Sequence, residues 1–304
     1  MMHKDKSEFL SMLERTSAQT GFSLALLEKD YYITILLSDI NMLSDNLVFK
    51  GGTCLNKIYY SYYRLSEDMD FTMKLPQGKI TRGIRKNSMK PMKEKIQSFV
   101  KKFGLSMDGT KRTGHNESTQ YIYNIDYDSV VINQKQSIKL EIGLRCNPIL
   151  TALKRKISHT FLHPFTREPL FETGHINCLS LKELVAEKLR AAAVRLTIAP
   201  RDFYDISYLM RTGFDFTDKE FISLFKKKLS EDGFDADLEK YRENLGRSQK
   251  EISGMEERLE AELLDVLSIE ERKTFDLQKT LDMLNNVFGK ICLLDKNNTF
   301  MCRI

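Results

Sequence analysis

"VFKGGTCLNKIYYSYYRLSEDMDFTM", Val48 to Met73, decides the fold. It reads as a short strand, a turn at Gly51 and Gly52, a helical stretch, and a second short strand carrying Asp68 and Asp70. That order makes a mixed α/β unit rather than a helical bundle. In an extended strand alternate side chains share a face, so Asp68 and Asp70 project together while Met69 and Phe71 point into a core. Two unpaired carboxylates held so close raise one another's pKa unless a cation sits between them. Magnesium, a hard ion that prefers oxygen ligands, suits the position. With a third carboxylate the pair would hold two ions roughly 3.5 to 4 Å apart, enough to bind the attacking and leaving oxygens of phosphoryl chemistry.

The glycines fit the same picture. Lacking Cβ atoms, Gly51 and Gly52 let a phosphate approach the backbone, and the amides that open the following helix carry partial positive charge. Thr53 adds a hydroxyl donor. The stretch is neither a Walker A loop nor a dinucleotide-binding GxGxxG motif. A glycine pair or a DxD alone is weak; together, within one short unit, they supply a phosphate cradle and a metal platform.

Outward from this stretch, residues 7 to 43 read as two helices, the second with Leu26, Ile33, Leu36, Leu37 and Ile40 at helical spacing. Downstream, "TQYIYNIDY" (Thr119 to Tyr127) and "SIKLEIGL" (Ser137 to Leu144) alternate as strands. The second strand offers Glu141 as a third carboxylate, with Lys139 on the same face as its pairing partner. From Ser180 helical periodicity dominates. "SLKE" (Ser180 to Glu183) and "TDKE" (Thr217 to Glu220) have the form of capping boxes, and the charged stretch from Ser230 to Glu262 reads as a mobile helical arm. The expected fold class is α+β: a small mixed sheet with flanking helices over residues 1–175, and a mainly helical lobe over 176–304.

The chain of 304 residues is long enough for one large domain or two ordinary ones. Its cysteines, Cys54, Cys146, Cys178, Cys292 and Cys302, show no metal-ligand spacing and follow no signal-peptide pattern, which suits a reducing cytoplasm. No apolar run approaches the roughly 20 residues of a membrane-spanning helix, so a soluble protein is expected. Net charge is +5, yet between Lys79 and Leu105 nine Lys or Arg face the single acid Glu94. Such a tract is either a solvated helix face or a surface for a polyanion. Without tryptophan or an aromatic RNA-binding signature, it would contact phosphates rather than read bases.

On the helix that starts at Leu181 and runs to about Leu196, Leu181, Val185, Lys188, Ala192 and Arg195 fall on one stripe. Two cations on an apolar stripe, followed by "PRDFYD", are expected to find compensation in a triphosphate or in the metal-site carboxylates. Asp202 and Asp205 lie one turn apart beyond it, Asp202 also suiting the first turn of a helix opened by Pro200. The histidines are scattered, no Ser/His/Asp or Cys/His pairing emerges, and Arg145 and His175 receive no role.

The pattern "FKGGTCLNK…YRLSEDMDF" resembles the AbiEii/AbiGii toxin family, nucleotidyltransferases of the DNA polymerase β-like superfamily in bacterial abortive-infection and toxin–antitoxin systems. The resemblance continues through "LVAEKLRAAAVRLTIAPRDFYDI" and covers roughly Leu24 to Met210; from Gly213 no motif matches. It implies a polymerase β-like core in which Asp68 and Asp70 bind Mg2+ and Gly51, Gly52 and Thr53 hold an NTP. It further implies that the helical domain contributes Lys188 and an aspartate, either Asp202 or Asp205. One of Asp202, Asp205 or Glu141 would orient the attacking hydroxyl. The implied reaction moves a nucleotide from an NTP to an acceptor and releases pyrophosphate. By similarity to members that modify tRNA, the acceptor is the tRNA 3′ end. The implied setting is a cytoplasmic toxin in phage defence, relieved by a separately encoded antitoxin. The alternatives are transfer to a protein hydroxyl and a non-catalytic nucleotide- or RNA-binding module; a glycosyltransferase is disfavoured because its DxD would normally follow a longer αβ region.

Overall fold

The structure, a computed structural model, describes residues 1–109, 113–195, 199–246 and 248–301. The chain divides into two units: Met1–Ser180 with Val266–Ile269, and Leu181–Asp265 with Glu270–Ile304. The first holds α1 (Lys6–Thr20), α2 (Leu24–Asp39), β1 (Leu47–Lys50), α3 (Gly51–Cys54), β2 (Asp68–Met73) and α4 (Arg82–Lys102). Strands β3 (Gly114–His115), β4 (Gln120–Asp128), β5 (Lys135–Gly143), β6 (Leu153–Lys156) and β7 (His175–Cys178) follow. All seven strands form one mixed sheet in the order β3-β4-β5-β2-β1-β7-β6. This is the α+β arrangement expected from the sequence.

Each helix start has a local cause. Asp5 accepts from the Ser7 and Glu8 amides to open α1, Ser23 accepts from Leu26 to open α2, and Gly21 between them takes the left-handed conformation, φ +75°, that a side chain disfavours. Helix α2 is buried over nearly its whole circumference, from Leu27 to Leu37, charged Glu28 and Asp30 included. Those two acids have partners. Glu28 accepts from the Ser129 hydroxyl and, at 2.7 Å, from the Val130 amide. Asp30 faces the Lys57 ammonium at 2.7 Å, a pair with almost no solvent exposure. Lys57 also donates to Thr34 and Tyr62 at 2.7 and 2.8 Å, and the Tyr62 hydroxyl donates to the Ser158 carbonyl. Tyr62 reaches this network from φ +67°, an uncommon backbone state for a bulky residue. Because Lys57 sits on the π-helical turn Leu55–Tyr59 that continues α3, the network ties the segment after the glycine turn to α2.

The sheet sorts its residues by face. Phe49, Phe71, Ile142 and Tyr121 align across β1, β2, β5 and β4 and are all buried. The adjacent row is Lys50, Asp70, Glu141 and Ile122; by strand alternation it lies on the opposite face. The sequence reading had no counterpart for β6 and β7, nor for the return of Val266–Ile269, where the Leu65 amide donates to the Val266 carbonyl at 2.8 Å.

The second unit contains α5 (Leu181–Val194), α6 (Pro200–Arg211), α7 (Lys219–Glu231), α8 (Glu239–Gly246), α9 (Gln249–Glu262), α10 (Ile269–Thr274) and α11 (Leu277–Met301), α10 beginning on a residue of the first unit. Its core is aromatic and aliphatic: Phe203, Phe221, Phe225, Leu284, Phe288 and Ile291 are fully buried. Lys228 of α7 is buried with them, its ammonium 2.7 Å from Glu183 and 3.3 Å from Glu187 of α5. Helix α7 starts one residue later than the TDKE pattern implies. Asp218 accepts from the Glu220 amide as its cap, while Thr217 turns back to bond Asp215. A reciprocal capping box does occur at Ser248 and Glu251, opening α9. In the charged stretch expected to be a mobile arm, Leu238, Tyr241, Ile252 and Met255 are buried; glycine at 254 is accommodated within α9.

Candidate nucleotidyl-transfer site

In the first unit, the C-terminal end of β1 delivers Lys50 opposite Asp70, and the parallel pairing of β2 with β5 sets Asp70 beside Glu141 and Asp68 beside Lys139. Three acids and two lysines are thereby collected on one face by strand register. The Lys139 ammonium lies 3.3 Å from Glu141 Oε2 and 3.7 Å from Asp68 Oδ2. Glu141 Oε1 accepts from the Gln120 side-chain amide at 2.7 Å. Met69 and Phe71, between and beyond the acids, are buried, as alternation requires.

Burial pushes the Asp70 carboxyl up to about 6; Lys50 opposes this, Glu141 and Asp68 add to it, and Lys139 opposes it. Partial burial works against the Lys139 charge, yet Asp68, Glu141 and Asp70 together hold its ammonium above the ordinary lysine value. Burial, more than the neighbouring acids, is therefore what makes the Asp70 carboxyl hold its proton. Among the described residues no three His, Cys, Asp or Glu side chains form a ready set for a metal ion. The donors that fit one are the hard carboxylate oxygens of Asp68 and Asp70, side by side on one strand.

The glycine turn packs directly on this centre. Gly51 has φ +77°, and a methyl group there would overlap Asp70 Oδ2. A methyl on Gly52 would overlap the Nη2 of buried Arg64, which donates from Nη1 to the Leu65 carbonyl at 2.8 Å. Thr53 is buried, its hydroxyl donating to the Asp68 carbonyl and lying 2.8 Å from the Ser66 hydroxyl. That hydroxyl fastens the turn to the start of β2. Gly51→Ala is expected to cost about 1–2 kcal/mol from the left-handed backbone alone. Because the methyl also displaces the Asp70 carboxylate, any activity that depends on Asp70 should fall further than a urea-melt stability measurement accounts for.

In the second unit, Lys188 of α5 pairs with both aspartates of α6, at 3.0 Å from Asp202 and 2.9 Å from Asp205. Arg195 pairs with the other oxygen of Asp202. The two cations on the apolar stripe are thus compensated within their own lobe, where a triphosphate or the metal-site carboxylates had been the expected partners. Both aspartates are buried and both pair with Lys188. Position 196, the expected end of this helix, lies outside the described residues.

The basic tract forms α4, capped by Thr81 and buried along Met89, Met92, Ile96, Phe99 and Val100. Lys93 lies 4.5 Å from the centre of the Tyr121 ring, and Lys102 is 2.6 Å from Asp39. Arg82, Lys86, Lys90 and Lys95 are exposed. Cys54, Cys146, Cys178 and Cys292 are not joined in disulfides, and Cys302 lies outside the described residues. Among the described residues no helix is long and apolar enough to cross a membrane.

A family model described as nucleotidyl transferase AbiEii toxin, type IV toxin–antitoxin system, matches residues 35–281. The chain belongs to the AbiEii family. Membership brings with it a nucleotidyltransferase activity, an NTP substrate and a separate antitoxin. The fold is similar to that of JHP933 from Helicobacter pylori, with TM-score 0.54 and 17% identity over 93% of this chain and 98% of that one. The nucleotidyltransferase toxin MenT4 from Mycobacterium tuberculosis is similar at TM-score 0.54 and 15% identity, covering 92% and 98% of the two chains. A putative nucleotidyltransferase from H. pylori gives 0.51 and 18%, covering 90% and 98%. These identities carry the fold alone. No curated protein matches the chain.

What the sequence reading missed was Lys50, Gln120 and Arg64. Lys50 is adjacent to the glycines and Arg64 lies shortly before the acids, but only strand register and the packing of the turn give them meaning.

Proposed function

We propose that this AbiEii enzyme transfers a nucleotide from an NTP to the 3′ end of a tRNA, releasing pyrophosphate, with Mg2+ held by Asp68 and Asp70. The acceptor hydroxyl attacks the α-phosphorus, a new P–O bond forms, and the bond to the β-phosphate oxygen breaks. The observation that carries the reading is the contact between the glycine turn and the acidic pair: where a Gly51 side chain would stand, Asp70 Oδ2 stands instead. A turn that lets a polyphosphate approach the backbone is thereby fixed against the carboxylates that would hold its counter-ion. Bound Mg2+ supplies charge neutralisation and orientation of the phosphate oxygens.

The residues divide the remaining work. Glu141, whose side chain is 29% exposed against 6% for Asp202 and 0% for Asp205, is the acid accessible enough to orient the acceptor hydroxyl and take its proton. Lys188 is held by Asp202 and Asp205 within the second unit. Gly51 and Gly52 leave room for the Asp70 carboxylate and the Arg64 guanidinium to pack on the turn, and Thr53 fixes the turn to β2. The exposed lysines and arginines of α4 suit an RNA backbone, a contact that should weaken as salt rises. The setting we infer is cytoplasmic, in defence against phage.

Purified protein incubated with each α-phosphate-labelled NTP, Mg2+, and either total tRNA or total cell protein tests the acceptor. Label is expected on tRNA, and removing the terminal nucleotides should abolish it. Label on protein, or on neither, would contradict the assignment.

A further inference from the structure

We propose that Lys139 is the displaceable counter-ion of the metal site, its ammonium occupying the space among Asp68, Asp70 and Glu141 that a divalent cation must take. This rests on the metal reading of Asp68 and Asp70. The argument begins with register: β5 runs parallel to β2, so Lys139 stands beside Asp68 while Glu141 stands beside Asp70. A lysine stem on β5 then has both acids of its own neighbourhood in reach, and it contacts both, 3.7 Å from Asp68 and 3.3 Å from Glu141.

Neither distance is that of a tight ion pair, whose N–O separation is about 2.7–2.9 Å. By contrast, the structural lysines of this chain sit close: Lys57 is 2.7 Å from Asp30, Lys188 2.9 Å from Asp205, and Lys228 2.7 Å from Glu183. Those three ammonium groups are nearly or mostly buried, whereas the Lys139 side chain is 38% exposed. Lys139 therefore satisfies the acids loosely and has an open route to solvent. A flexible, strongly hydrated ammonium on such a route is easily displaced, which a buried or bidentate cation is not. Lys50, on the other side of Asp70, supplies positive charge to the same row from β1.

Divalent-cation binding should consequently be a competition. When the ion enters, the ammonium leaves the carboxylates, and its charge becomes available to an incoming anionic nucleotide. Lys139 acts here as a positioning residue that sets how tightly the free protein takes up metal.

The test is Mn2+ binding to the nucleotide-free protein, followed by the loss of free Mn2+ paramagnetic resonance signal, for wild type, Lys139→Met, Lys139→Gln, Lys50→Met and Asp70→Asn. Thermal melts should confirm that each variant folds; Lys139→Gln serves if Lys139→Met does not. Removing Lys139 should tighten binding roughly tenfold, the scale on which one charge at 4–6 Å moves a neighbouring ionic equilibrium. Lys50→Met removes the charge that acts most strongly on the Asp70 carboxyl; if the Lys139 ammonium holds the ion's position, this variant should still tighten binding less than the Lys139 variants do. If the Lys139 variants bind as wild type does, bind more weakly, or gain no more than Lys50→Met, the proposal is overturned. In each of those cases loss of binding in Asp70→Asn would leave the metal reading standing. Undiminished binding in Asp70→Asn would overturn both.

Discussion

Asp70→Asn should abolish nucleotidyl transfer, by roughly 10³-fold or more, while the protein remains folded. The loss follows from removing a carboxylate that would hold the metal, an interaction worth several kcal/mol of transition-state charge stabilisation, with about 1.4 kcal/mol per factor of ten. Stability should move the other way. Burial has pushed the Asp70 carboxyl up to about 6, so the metal-free native state binds its proton more tightly than the unfolded chain does. That contribution is fully present below the unfolded value of about 4 and is lost as pH rises through about 6. Asparagine carries no such liability. Without metal, Asp70→Asn should therefore melt higher than wild type at pH 7, with the gap narrowing by pH 4.5. A variant that was both inactive and less stable at pH 7 would indicate that Asp70 is structural. For wild type, metal binding should weaken as pH falls through about 6, because the ion must then displace a proton.

Asp30→Ala should be among the most destabilising single substitutions in the first unit, costing about 3–5 kcal/mol, since it strands a buried ammonium. The Lys57 and Asp30 side chains are 0% and 1% exposed, and nothing from solvent replaces the lost partner. Burial already drives the Lys57 ammonium below its ordinary value, with Asp30 opposing the fall. In Asp30→Ala that opposition is gone, so the native state favours neutral Lys57. A lysine whose native pKa is depressed destabilises the fold most at low pH, and the penalty should shrink as pH rises from about 7 to about 10. The double variant Asp30→Leu/Lys57→Met, which removes both charges and restores comparable volume, should recover most of the loss. Urea melts across that pH range measure both effects. A flat, small penalty for Asp30→Ala would show that the pair does not anchor α2 to the segment after the glycine turn.

The legible part of this chain was local. Two glycines, an intervening helix and acids two residues apart determine a turn and a shared face without reference to anything distant, and the structure keeps both. Residues 120–128 and 135–143 alternate long enough to be read as strands. Pairing was not legible. Lys50 acquires meaning only when β1 lies antiparallel to β2, and Lys139 meets Asp68 only when β2 lies parallel to β5. Strands β6 and β7 have four residues each, too few for alternation to stand out. Lys188 illustrates the other limit. A cation on an apolar stripe needs a partner, and helical spacing told where Asp202 and Asp205 lie on their own helix; which charge they answer is a matter of packing. At TDKE the local signal itself was ambiguous, because Asp218 competes with Thr217 for the capping position and takes it.

Crystals of the protein grown with Mn2+ and a nonhydrolysable NTP, measured at the manganese absorption edge, would locate the ion without reliance on activity. An anomalous peak between the Asp68 and Asp70 carboxylates, with the polyphosphate lying over Gly51 and Gly52, is the outcome that the acidic pair and the glycine turn require. A bound nucleotide whose metal lies away from the Asp68 and Asp70 carboxylates would contradict it.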